Sequence, residues 1–449
     1  MAIKNSIGHN LESTVDTYIA TMRKIFFLVL FFIGHSCFSQ IISAGPMTGY
    51  VDLREAIIWL QVQKTSTGSV IVWPEKIPSQ KIVFSGQADA NGNVHLYATD
   101  LEPGTSYCYQ PFAGSDSTGI AKESAVYHFT TQALWRWRTD PPNFKIAFGS
   151  CAYINEEQYD RPKPAYGADY QIFQSIADKK PDLMIWLGDN IYLREVDFGS
   201  RSGIIHRYNH TRNTAELQPL LTACPNIAIW DDHDFGPNDA TRSYIHKDWT
   251  LDAFKSYWAN ASYGVPDSRA ANGVTGMIAF QDVDIFMLDN RSFRVAPGVP
   301  HDHATILGED QIKWLIESLQ YSKAPFKLVC VGGQFLNTFP EFETFSTVPD
   351  ERKRIIDAIE NLKIKGVVFL SGDRHCGEMS ELNLTDGIKI YDITSSPLTS
   401  GPYDVSKENN TLRVPGTICP KRNFCMLEFS GKQKERIMTI RMFDSNGAE

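Results

Sequence analysis

The hydrophobic rhythm of this chain changes after its first third. Between residues 41 and 131 apolar positions come in short alternating runs, 56–62, 69–73, 94–97 and 125–130, separated by Gly, Pro, Asp and Ser. Alternation at period two predicts strands with one buried face, and many short strands between turn residues predict an all-β sandwich over 40–134. Residues 135–143, with Pro141, Pro142 and several charges, read as a linker. From residue 144 to 449 the pattern predicts a second domain. Continuous apolar runs at 146–148, 183–187, 227–230, 285–288, 328–331 and 367–370 suit strands buried on both faces. Between them Tyr170, Phe173 and Ile176, then Ile312, Leu315, Ile316 and Leu319, then Ile355, Ile356, Ile359 and Leu362 mark single apolar helix faces. Strand and helix in alternation predict an α/β layered architecture. Past Glu381 strands return at 388–393, 424–429 and 436–443.

The N-terminal region carries one local signature. Leu101-Glu-Pro-Gly-Thr-Ser-Tyr107-Cys-Tyr109 has the turn-then-tyrosine pattern of a fibronectin III-like corner, where the tyrosine hydroxyl bonds back to the main chain. Upstream, Met22, Arg23 and Lys24 precede an apolar stretch at 25–33 that is too short to span a bilayer, and Cys37, Phe38 and Ser39 form a cleavage junction before Gln40. This predicts a signal peptide within 1–39, a start at Met22 with an upstream extension, and export to the periplasm, cell surface or medium without a transmembrane helix after cleavage. Cleavage would leave seven of the eight cysteines. Cys419 and Cys425 are candidates for a disulfide, whereas Cys224 and Cys330 read as buried free thiols.

The 52 acidic and 43 basic side chains give a net charge of −9, so there is no basic footprint for nucleic acid. An anionic substrate would have to be held by local charge or by metal. The residues that follow the buried strands supply that possibility: Gly149-Ser150-Cys151, Gly188-Asp189-Asn190-Ile191-Tyr192, Asp231-Asp232-His233-Asp234, Asp289-Asn290-Arg291 and Gly372-Asp373-Arg374-His375. One Gly-Asp after a strand is ordinarily a turn. Five such clusters in series point to the crevice at the carboxyl ends of an open sheet, where ligands bind.

Together the clusters offer carboxylates, imidazoles, a thiol and a phenol, the donor set of a mixed dinuclear metal site. Two metals clamp the attacking and leaving oxygens of a phosphoryl group, and one makes hydroxide available near neutral pH. Asp189, the first polar position beyond a buried strand, is the candidate bridging carboxylate. Cys151 and Tyr192 suit a ferric or similarly acidic ion, and Asp232, Asn238 and Asp373 suit a hard ion such as Ca²⁺. Arg291 offers a fork for phosphate, although Asp289 two positions earlier is an alternative partner. His206, His210, His301 and His303 are expected in solvated loops.

The ordered series Gly-Ser-Cys, Gly-Asp-x-Ile-Tyr, Trp-Asp-Asp-His-Asp, Asp-x-Arg and Ser-Gly-Asp-Arg-His resembles the alkaline phosphatase D (PhoD) family of calcineurin-like metallophosphoesterases. The resemblance implies an αββα sandwich behind a small fibronectin III-like β-domain. It also implies hydrolysis of small phosphate mono- or diesters by attack of metal-bound hydroxide at a centre of Fe³⁺ and Ca²⁺. Carried over by position, Cys151, Asp189 and Tyr192 would hold iron, with His375 or Asp373 completing the shell, and Asp189, Asn238 and Asp373 would hold calcium. Asp232 stands where the wider superfamily has a metal-ligating asparagine. His233 would act on the phosphoryl oxygens or the leaving group. Gly149-Ser150-Cys151 replaces the usual Asp-x-His, and Gly332-Gly333-Gln334 replaces a histidine motif, as in the PhoD branch. The alternatives are a phospholipid-directed phosphodiesterase, a two-metal hydrolase of another ester class, and a binding protein on an idle phosphoesterase scaffold.

Overall fold

The computed structural model describes residues 41–115, 125–162, 164–300 and 303–449, so the expected signal peptide and His301 lie outside the described residues. The alternating N-terminal runs form β1 (Ile41–Val51), β2 (Ala56–Gln63), β3 (Thr67–Pro74), β4 (Ile82–Gln87), β5 (Asn93–Ala98), β6 (Ser106–Ala113) and β7 (Tyr127–Thr130). They pair as sheets β1-β2-β5 and β4-β3-β6-β7, which enclose Ile58, Leu60, Val70, Val72, Leu96 and Tyr109. The tyrosine corner is present: the Glu102 N–H donates to the Tyr107 hydroxyl at 2.8 Å.

The continuous apolar runs become the inner strands of two further sheets. One contains β8 (Phe144–Gly149), β9 (Leu183–Leu187) and β10 (Asn226–Ile229), parallel in the order β10-β9-β8, and is extended by the antiparallel β17 (Asn423–Ser430) and β18 (Ile437–Asp444). The other has the order β11-β12-β13-β14-β16-β15, where β12 (Val283–Met287), β13 (Phe326–Cys330), β14 (Val367–Ser371) and β16 (Lys389–Thr394) are parallel. Its edges, β11 (Gly276–Phe280) and β15 (Glu378–Asn383), are antiparallel.

Period-two alternation explains why these strands are apolar throughout. Ile146, Phe148, Ile185 and Ile227 meet Ile285, Leu328 and Val368 between the sheets, whereas Ala147, Trp186 and Ala228 face the other way. The outer face of the first sheet is covered by α1 (Gln171–Asp178), α2 (Arg201–Arg212), α3 (Gln218–Ala223) and α5 (Lys247–Tyr257), with a one-turn helix α4 (Asp232–Phe235) between the last two. The second sheet is covered by α6 (Glu309–Tyr321) and α7 (Pro349–Asn361), through Ile312, Leu315, Ile355 and Ile359. This is the αββα sandwich that the resemblance implied, behind an all-β N-terminal region.

Two expectations are corrected. His206 and His210 lie on α2 rather than in loops: α2 lacks an apolar stripe because its buried face includes Arg207, Thr211 and Arg212. Arg207 is paired with Asp197 at 2.9 Å and Glu156 at 2.7 Å, and the Arg212 guanidinium lies 4.1 Å from the Trp258 ring. All seven described cysteines are free thiols, so Cys419 and Cys425 are not bonded to each other. Among the described residues no helix is long and apolar enough to cross a membrane.

Candidate metal centre

Each polar cluster falls just beyond the end of a parallel strand, and the two sheets bring those ends together. Cys151 follows β8, Asp189 and Tyr192 follow β9, Asp231 to His233 follow β10, Arg291 follows β12, and Asp373 and His375 follow β14. Four groups of donors result, each with its ligand atoms within 4.8 Å of one another: Cys151, Asp189 and His375; Asp189, Asp232 and His233; Asp231, Asp232 and Asp373; and Asp232, Asp239 and Glu343. Asp189 belongs to two of these groups and Asp232 to three. The Cys151 Sγ lies 3.5 Å from Asp189 Oδ2, and the Tyr192 hydroxyl lies 3.3 Å from His375 Nε2.

The backbone is bent to achieve this. Cys151, Asp189, Asp373 and His375 have φ of 62°, 50°, 63° and 53°, in the left-handed region that costs a residue with a Cβ about 1 kcal/mol or more. Neighbouring groups hold the bends. The His233 N–H donates to Asp189 Oδ1 at 3.2 Å, the Ser396 hydroxyl donates to Cys151 Sγ at 3.2 Å, and the Tyr166 hydroxyl is 3.0 Å from His375 Nδ1. Asp231 is the N-cap of α4, and Asp234 closes the capping box by accepting from the Asp231 N–H at 3.0 Å; it also accepts from the Asn190 N–H at 3.1 Å, so it supports the loops rather than joining the donor groups.

Electrostatically the cluster is incomplete by itself. Burial, reinforced by neighbouring carboxylates, raises the carboxyls of Asp189 and Asp373 well above the usual range, and burial pushes Asp231 up to about 6. Burial also raises Asp232, but the charges of His233 and Arg291 outweigh it and hold that carboxyl low. The Cys151 thiol and the Tyr192 phenol are raised by burial and by Asp189. A thiolate, a phenolate and several carboxylates are stable in one buried place only beside a multivalent cation. Two buried atoms, Asp231 Oδ2 and His233 Nδ1, lack a hydrogen-bond partner. The donors present therefore fit a metal pair.

Not every expected residue lies in the donor groups. Asn238 is exposed and lines a cavity of about 580 Å³ that also includes Tyr192 and His233. Arg291 is 1% exposed, and its fork is taken by Asp231 and Glu343; Asp289 meets Arg291 only through the main-chain N–H, which donates to it at 3.0 Å, and also accepts from Trp230 Nε1 at 2.8 Å. Arg374 is likewise spent on Gln334 and Glu408. Asp239 and Glu343, which the motif series did not bring forward, join the cluster. Asp239 stands beside Asn238 in the same loop, whereas Glu343 sits in an irregular Phe-Glu-Thr-Phe stretch with no strand before it to mark it.

Comparison with known proteins bears on the family and the fold. The family model described as PhoD-like phosphatase matches residues 146–432. Alkaline phosphatase D of Bacillus subtilis (strain 168) is 24% identical in an alignment of 394 positions that covers 75% of this chain and 64% of that protein; this chain thus spans less than two thirds of that relative's length. A solved structure of PhoD superposes with a TM-score of 0.71 at 18% identity, covering 90% of this chain and 91% of its own. Purple acid phosphatase PPD1 from yellow lupin (Lupinus luteus) seeds superposes with a TM-score of 0.65 at 10% identity, covering 92% and 73%. At these identities the two structures speak for the fold alone. With the family model covering more than half its length and each of its motifs placed at a strand end, this chain belongs to the PhoD-like phosphatase family.

Proposed function

We propose that this chain is an exported, metal-dependent phosphoesterase acting on small phosphate mono- or diesters. The observation that carries the reading is that Asp189 is shared between the Cys151–His375 group and the Asp232–His233 group, the position a bridging carboxylate needs. In this reading Cys151, Asp189, Tyr192 and His375 hold an acidic ion such as Fe³⁺, while Asp189, Asp232, Asn238 and Asp373 hold a hard one such as Ca²⁺. Such a pair supplies positive charge to the phosphoryl oxygens and a hydroxide source near neutral pH. The bacterial alkaline phosphatase D supports the substrate class by its name, and the apolar stretch at 25–33 supports export.

The protein's own residues do the rest. His233 lines the cavity, where its imidazole can act on a phosphoryl or leaving-group oxygen. Arg291 balances the charge of Asp231 and Glu343, and so keeps Asp231 in place without touching phosphate. Tyr166 and Ser396 orient His375 and Cys151. No serine or aspartate nucleophile is required.

The test is release of nitrophenol from a chromogenic phosphomonoester and phosphodiester, with metal analysis of the same sample. Release that a strong chelator abolishes is the expected result, and the ratio of the two rates assigns monoester or diester preference. No release from either ester by protein shown to hold both metals would overturn the proposal.

A further inference from the structure

The carboxylates of the centre do not line the adjoining cavity of about 580 Å³; the centre meets the cavity at Tyr192, His233 and Asn238. From there an aromatic wall runs outward. The Tyr192 and Tyr153 rings lie 4.9 Å apart, Tyr153 and Tyr166 meet edge-on at 4.9 Å, and Tyr166 is 43% exposed at the mouth. Tyr159 and Phe198 add two more rings to the lining. The polar ends of the wall are already engaged. The Tyr153 hydroxyl donates to Asp160 at 2.8 Å, and the hydroxyls of Tyr166 and Tyr192 pair with the two ring nitrogens of His375.

The charges among the described lining residues are engaged too. Arg194 is paired with Asp160 at 2.8 Å and Arg161 with Glu195 at 3.3 Å, so each cation is matched by a carboxylate. Among the described lining residues a second anionic group would find no unpaired cation, and a cationic group no unpaired carboxylate. The volume is that of a site for a sizeable organic ligand, and a methyl or ethyl group would leave most of it to water.

We propose that this cavity is the subsite for the organic arm of the substrate, and that it selects an uncharged, ring-bearing alcohol. The proposal rests on the phosphoester reading above. The ester's phosphoryl group sits at the metal centre, while its ring lies against the aromatic wall, where aromatic faces add to the gain from burial. Apart from Tyr192, which belongs to the centre, the tyrosine–phenylalanine lining thus sets leaving-group preference without taking part in the chemistry.

The experiment is calorimetric binding of phenylphosphonate and of methylphosphonate to the metal-loaded protein and to its Phe198→Ala and Tyr159→Ala variants. Neither compound can be hydrolysed as an ester, so the readout does not depend on turnover. The expected result is that wild type binds phenylphosphonate about ten-fold more tightly than methylphosphonate. In at least one variant that preference should shrink severalfold while the methylphosphonate affinity is unchanged. Thermal unfolding of each variant establishes that it is folded, and Tyr159, at the half-exposed edge, serves if Phe198→Ala unfolds. Equal affinities in wild type, or a preference that survives both substitutions, would overturn the subsite. Binding of neither phosphonate by protein holding its metals would overturn the phosphoester reading, and the subsite with it.

Discussion

Gly332 lies in the first turn after β13, where the polypeptide passes close beneath the carboxylate cluster. A Cβ placed there would lie 2.2 Å from Asp231 Oδ2, 2.4 Å from Asn290 Nδ2 and 2.6 Å from Asp231 Cγ. These are about 1 Å inside the roughly 3.5 Å at which non-bonded atoms make favourable contact. Asp231 cannot swing aside freely, because its Oδ1 accepts from the Asp232 N–H at 2.9 Å and from Asn290 Nδ2 at 2.8 Å, and also binds Arg291. The main chain cannot back away freely either. The Gly332 carbonyl accepts from the Gly372 N–H at 2.6 Å, and Gly372 immediately precedes Asp373. Overpacking of this kind costs about 1–3 kcal/mol, and loss of one hydrogen bond to a charged group costs about 1.5–3 more. Gly332→Ala should therefore lose about 3–5 kcal/mol in urea unfolding. A displacement of about 1 Å at Asp231 or Asp373 should also lower phosphodiester hydrolysis about a hundred-fold. Gly199→Ala, which meets nothing within 4 Å, is the control and should stay within about 0.5 kcal/mol of wild type. A Gly332→Ala protein with wild-type stability and wild-type hydrolysis would refute the reasoning.

Three further outcomes are expected. Asp189→Ala should abolish turnover and leave a single cooperative unfolding transition; retained hydrolysis in that variant would sink the bridging role. Arg194→Gln should weaken metal retention measured by competition with a chelator, because Arg194 donates to the main-chain oxygens of both Tyr192 and Ile154 and so ties the β8 and β9 loops together; unchanged retention would show that those loops hold themselves. Asp392 reports on pH. Burial pushes its carboxyl up to about 6, so its stabilising contribution is full below about pH 4 and disappears as pH rises through about 6. Relative to wild type, Asp392→Asn should gain about 3 kcal/mol of stability between pH 4 and pH 8, and parallel pH profiles of the two proteins would contradict this.

Much of this molecule was legible from the order of residues. Runs such as Leu183 to Leu187, apolar at every position, suit strands covered on both sides, and the residue just beyond such a strand emerges at the sheet's edge. That local rule places Cys151, Asp189, Asp232 and Asp373 in one crevice, because parallel strands present their carboxyl ends together. The corner at Tyr107 was equally local, since its hydroxyl partner is Glu102, only five positions away. The polar helix α2 was not legible. Its inward face is stabilised by Arg207 pairing with Asp197 and Glu156, and a buried ion pair leaves no hydrophobic period to read.

Sequence alone therefore determined the layers, the strand ends and the kinds of donor they carry, since each depends on periodicity within a few residues. The tertiary structure decided which donors lie together, which arginines are already paired, and where the cavity beside the centre lies. Glu343 reaches the cluster from an irregular loop, Arg291 is taken by Asp231 and Glu343, and the aromatic cavity gathers Tyr153, Tyr166, Tyr192 and Phe198 from two loops. Contacts of that kind are fixed by loop closure between distant segments, and the composition of those segments carries no local pattern that encodes the partner.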